Sequence, residues 1–94
     1  MSPVRGPSFH YVYVLQSAEN GRSYTGCTNN LRKRLTEHKN GKSRYTKDHG
    51  PFALIYYEAC LAVDDAYARE KYLKSGMGKR YVRNRLKRFL PLTG

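Results

Sequence analysis

Apolar and polar positions divide the chain into three strand-like and three helix-like segments. Residues 9–16, Phe-His-Tyr-Val-Tyr-Val-Leu-Gln, are aromatic and β-branched, the composition of a strand. Asn20-Gly21 predicts a hairpin turn, and residues 22–28, Arg-Ser-Tyr-Thr-Gly-Cys-Thr, make the returning strand. Asn29 or Asn30 caps a helix whose apolar stripe, Leu31 and Leu35, runs to about Asn40 and stops at Gly41. Residues 41–51 show no periodicity and read as a basic loop. The near-continuous apolar run from Phe52 to Cys60 predicts a third strand, centrally placed and well covered.

Two helices are expected after it. Asp64 or Asp65 caps the first, which runs to about Ser75 with Ala66, Leu73 and Met77 on one face. Gly76-Met77-Gly78 breaks it. The last helix spans about 79–90, with Val82, Leu86 and Phe89 as its buried stripe, and Pro91 ends it. The order ββαβαα predicts an α+β fold, a small three-stranded and mainly antiparallel sheet flanked by helices. Ninety-four residues supply one core, taken as a domain over 9–90 with tails at 1–8 and 91–94.

Charge narrows the choice of partner. Eighteen Lys and Arg against seven Asp and Glu leave a net charge of +11, which favours a polyanion. Nucleic acid is the first candidate and an anionic membrane the second, with a merely solubilising surface as the plain alternative. Residues 31–47 carry seven cations and one acid, Glu37, and the chain beyond Glu70 carries eight cations and no acid. Arg32, Lys33, Lys39, Lys42, Arg44 and Lys47 form one candidate nucleic-acid surface; Lys79, Arg80, Arg83, Arg85, Lys87 and Arg88 form the other. A solvated helix face is the plainer reading of the second group. No apolar stretch is long enough to span a membrane, and the first residues lack the apolar centre of a signal peptide. Cys27 and Cys60 have no metal-ligand spacing. The expectation is a reduced, cytoplasmic protein without structural zinc, taken as a monomer.

Scarce acids single out Glu70, which lies between Ala66 (i−4) and Leu73 (i+3) on an apolar stripe. A carboxylate there either pairs with one of the many cations or ligates a metal in a cleft. On the earlier helix Asn30, Arg34 and His38 recur at i, i+4 and i+8, where a guanidinium and an imidazole address one phosphate. Tyr11 and Tyr13 share a strand face and Tyr24 lies across the hairpin, either as packing or as phenols that orient water. Gly26 interrupts its strand, a sign that something approaches the backbone closely.

Together Tyr11-Val12-Tyr13, Tyr24-Thr25-Gly26, Asn30-Leu31-x-x-Arg34-x-x-x-His38 and Glu70 resemble the GIY-YIG nuclease superfamily over residues 9–88, most closely its small stand-alone bacterial branch. The resemblance implies metal-dependent hydrolysis of phosphodiester bonds in DNA with one Mg²⁺ or Mn²⁺, in a setting of DNA repair or recombination. RNA stays open as a substrate. It implies Tyr13 and Tyr24 as the motif tyrosines, Arg34 as the catalytic arginine, His38 as the histidine one turn later and Glu70 as the metal ligand. Asn84 matches a later active-site Asn of some members. Tyr11 stands where the first triplet has Gly, Val12 and Thr25 replace Ile, and Cys27 stands where excision-repair members carry Lys. A non-catalytic nucleic-acid-binding domain on the same fold is the alternative.

Overall fold

Successive side chains of a strand point to opposite faces, so a strand with a run of consecutive buried residues needs cover on both sides. Such a strand is β1 (His10–Ser17), in which Val12, Tyr13, Val14 and Leu15 are all buried. The computed structural model, which describes residues 8–41 and 50–89, places β1 at the centre of a three-stranded sheet. Antiparallel β2 (Ser23–Thr28) and β3 (Phe52–Cys60) pair with its two edges, giving the order β2-β1-β3. The hairpin closes with Ser17 N–H donating to the Arg22 carbonyl at 2.8 Å, and Gly21 turns the chain at φ +72°, where a side chain is disfavoured.

Helix α1 (Leu31–Lys39) lies on the face that carries Tyr13 and Leu15. Helices α2 (Val63–Lys74) and α3 (Gly76–Arg85) cover the other face, where Val12, Val14, Ala66, Leu73 and Val82 form the core. The element order is ββαβαα, as expected. The expected tails fall, apart from Ser8, outside the described residues, as do Lys42, Arg44 and Lys47.

The third strand is not central. β3 is an edge strand, and Leu54 and Tyr57 remain 37% and 53% exposed. Their register partners Leu15 and Tyr13 place both on the α1 face, which a single nine-residue helix covers only in part. An apolar run therefore marked a strand correctly but not its place in the sheet. The register also slips between Val14↔Tyr56 and Leu15↔Leu54, leaving Ile55 as the extra residue of a bulge.

Helix boundaries shift for local reasons. Asn30 caps α1, its side-chain oxygen accepting from Lys33 N–H at 3.1 Å. Asp64 and Asp65 do not cap α2; they occupy its first turn, where carboxylates meet the positive end of the helix dipole. Gly76-Met77-Gly78 begins α3 instead of separating two helices, and Ser75 Oγ caps it by accepting from Gly78 N–H at 3.1 Å. A Cβ at Gly78 would collide with the Tyr72 carbonyl and the Leu73 Cα, so this glycine lets the first turn of α3 press on the end of α2. Met77 and Phe89 are exposed and leave their predicted stripes, since α3 starts earlier and ends at Arg85.

One polar clamp fixes α2 against β3. Arg69 donates to both carboxylate oxygens of Glu58, at 2.8 and 2.7 Å, and Tyr56 Oη donates to the same carboxylate at 2.9 Å. The Arg69 guanidinium also stands over the rings of Tyr72 and Tyr81, at 4.9 and 5.2 Å from their centroids. Arg69 holds Glu58 below the usual carboxylate range. Such a bidentate pair sets orientation as well as contributing energy.

Substitution at the two helical glycines separates packing from propensity. Gly78→Ala should lower stability by roughly 1–3 kcal/mol in urea unfolding, the cost of overpacking. Gly76→Ala, with open space around its Cβ, should be neutral or stabilising. Equal losses from both would contradict the packing role of Gly78.

Candidate active site

A glycine opposite a tyrosine opens the site. Gly26 pairs with Tyr13 across the β1–β2 hairpin, and the Tyr13 phenol lies over it where a Cβ would stand. The phenol is carried into the interior, and Tyr13 is only 1% exposed. A buried hydroxyl needs partners, and both come from α1.

Arg34 Nε donates to the Tyr13 oxygen at 3.3 Å, and Tyr13 Oη and His38 Nε2 share a hydrogen bond of 2.9 Å. The rings of Tyr13, Tyr24 and His38 pack together with centroids 5.3 to 6.3 Å apart. Arg34 is held in turn by Glu37, one turn on, at 3.1 Å. Its hydrogen bonds to Tyr13 first, then to Glu37 and Tyr24, strengthen its hold on its proton. Burial pushes the Tyr13 phenol up, against the lowering effect of Arg34. Burial, with the Arg34 charge in support, pulls the His38 imidazole down. At neutral pH the pair is therefore an uncharged phenol hydrogen-bonded to an uncharged imidazole, with a permanent cation beside it.

Glu70 approaches from the other side of the sheet. Ala66 and Leu73 seat α2 on Val12 and Val14, and Glu70 projects from a flank, 22% exposed. Its charge raises the pKa of both Tyr13 and Cys27, so it lies near that end of the hairpin. Burial is the larger cause at each. Lys74, at i+4, pairs with Glu70 at 3.3 Å. The pairing with a cation, one of the two readings of this carboxylate, is thus present.

With Tyr13, Tyr24, Arg34 and His38 in one cluster and a carboxylate near it, comparison with known proteins is decisive. Residues 9–87 match the GIY-YIG catalytic domain. The chain belongs to the GIY-YIG family. It is 42% identical over 66 residues to a UPF0213 protein of Clostridium perfringens, covering 69% of this chain and 70% of that one. A UPF0213 protein of Oceanobacillus iheyensis is 39% identical over 66 residues, covering 69% and 76%. The solution structure of a UPF0213 protein from Bacillus halodurans superposes with a TM-score of 0.52 at 33% identity, covering 81% of this chain and 83% of that one. The GIY-YIG domain is of nuclease type, which makes a nucleic acid the class of substrate. No helix among the described residues is long and apolar enough to cross a membrane.

GIY-YIG nucleases typically use a divalent metal. The donors here fit a hard, largely hydrated cation that takes one protein carboxylate. No group of three or more His, Cys, Asp or Glu forms a cage among the described residues, and Glu70 is the acid whose charge is felt at Tyr13. Asn84 is exposed on α3, with no hydrogen bond to these groups among the described residues. Arg32, Lys33 and Lys39 on α1, Lys79, Arg80, Arg83 and Arg85 on α3, and Lys87 and Arg88 just beyond it are all exposed. Arg85 also stacks on Tyr81 at 5.5 Å. Glu37 and Lys74 were overlooked in the sequence, although their spacings to Arg34 (i+3) and Glu70 (i+4) mark helix-surface pairs.

The depressed His38 fixes the sign of a pH effect. Unfolded chains take up the His38 proton near pH 6.5, whereas the folded protein resists it to lower pH. Stability from this group is complete above about 6.5 and declines as pH falls toward its folded pKa. NMR titration should place His38 below 6.5, and His38→Gln should remove that part of the acid destabilisation. A His38 midpoint at or above 6.5 would contradict the buried, uncharged imidazole.

Proposed function

We propose that this chain is a divalent-metal-dependent endonuclease that hydrolyses phosphodiester bonds in DNA with little intrinsic sequence preference. The observation that carries the reading is the convergence of Tyr13, Tyr24, Arg34 and His38 on one hydrogen-bonded cluster within the field of Glu70. Exposure divides the labour among them. Tyr13 and His38 are buried, so they relay a proton and hold geometry; Tyr24 is part-exposed and is the phenol placed to meet water. Arg34, oriented by Glu37 and Tyr13, brings a fixed positive charge to the scissile phosphate. Glu70 would hold one Mg²⁺ or Mn²⁺, which supplies charge stabilisation for the leaving oxygen. The exposed cations of α1 and α3 grip the backbone without reading bases. DNA repair or recombination is the setting such an activity fits.

A second reading, a nucleic-acid-binding domain without turnover, draws on the Glu70–Lys74 pair, which is what a solvated helix flank also shows. Cleavage separates the two. Supercoiled plasmid should be nicked or linearised with Mg²⁺ or Mn²⁺ and untouched in chelator. Glu70→Ala should abolish turnover while retaining the wild-type melting curve and DNA binding. Arg34→Ala should slow cleavage by about 10²–10³-fold. Salt-dependent binding with no metal-dependent cleavage of duplex, branched or single-stranded DNA favours the second reading.

A further inference from the structure

Lys74 stands between Glu70 and a groove. Its ammonium pairs with Glu70, and the same residue lines a cavity of about 220 Å³ together with Ser23, Tyr24, Thr25 and Lys79. Among the described residues no acid lines that cavity. Two lysines stand on its walls with Ser23 and Thr25, whose hydroxyls lie on one face of β2, a set whose donors suit a phosphate. Tyr24 forms one wall and also packs on Tyr13 and His38, so the groove opens beside the catalytic cluster.

We propose that this groove binds a DNA backbone phosphate next to the one cleaved, and that Lys74 leaves Glu70 to bind it. The inference rests on the nuclease reading and adds a coupling to it. An i,i+4 pair with a 57% exposed lysine holds its ammonium weakly, and the four-carbon stem lets the charge swing between two anions. Lys79 projects from the first turn of α3 and supplies the second cation. While Lys74 neutralises Glu70, it competes with any cation for that carboxylate. A phosphate that draws Lys74 away frees Glu70 for the metal, so DNA and metal strengthen each other's binding by the same factor.

Mn²⁺ binding to the full chain tests this, read from the free-ion EPR signal before turnover, with and without a short blunt duplex and with the duplex-alone signal subtracted. Without DNA, Lys74→Gln should bind Mn²⁺ about two- to fivefold tighter than wild type. The duplex should tighten Mn²⁺ binding to wild type about two- to fivefold more than to Lys74→Gln, whose remaining coupling is the direct attraction of phosphate for the metal. Lys79→Gln should weaken metal-free duplex binding and lower its log–log salt slope by about 0.9. Equal Mn²⁺ affinities of wild type and Lys74→Gln without DNA overturn the proposal, as does a duplex effect equally large in both proteins or an unchanged salt slope in Lys79→Gln. The coupling without plasmid cleavage would sink the nuclease reading alone; cleavage without the coupling would sink this inference alone.

Discussion

A phenol buried in the middle of a sheet organises this protein. The Tyr13 hydroxyl sits where water cannot satisfy it, and leaving it unpaired would cost about 1–3 kcal/mol. His38 and Arg34 meet that need, and both lie on α1, so satisfying the hydroxyl docks the helix. Gly26 makes the burial possible by leaving room for the ring. Structure and candidate chemistry share the same atoms: the bonds that seat α1 also align a phenol, an imidazole and a guanidinium.

The opposite face supplies the acid by a different device. α2 rests on the sheet through Ala66 and Leu73, and apolar contact alone would leave its rotation loosely defined. The Glu58–Arg69 clamp removes that freedom on the β3 side. Glu58 and Glu70 thus divide two tasks, one acid spent on holding the helix and one paired only with Lys74 among the described residues, its charge felt at Tyr13 and Cys27.

Much of this was legible in the residues. β-branched and aromatic runs, Asn20-Gly21 and the Leu31/Leu35 spacing act over a few residues, and the elements they predict are present. Arg34 and His38 at i and i+4 had to share a helix face whatever the fold, and Gly26 announced a close approach. Less legible were features decided by distant partners. β3 reads as a covered central strand because its composition is apolar, yet its exposure depends on how far α1 reaches. Gly76 and Gly78 read as breakers because glycine weakens an isolated helix; in the fold, the space Gly78 leaves beside α2 outweighs that propensity. The partner of Glu58 lies eleven residues away on another element, and no local spacing marks it.

The sequence by itself determined the kinds and order of the elements, the excess of positive charge and the motif residues that mark a GIY-YIG domain, because these are local or compositional. Only the tertiary structure decided that Tyr13 is buried and hydrogen-bonded to His38, that Glu37 steadies Arg34, and that Lys74 occupies Glu70. Each of these depends on which faces meet across the sheet, and burial sets the protonation and pairing of a polar group more strongly than its neighbours in the chain.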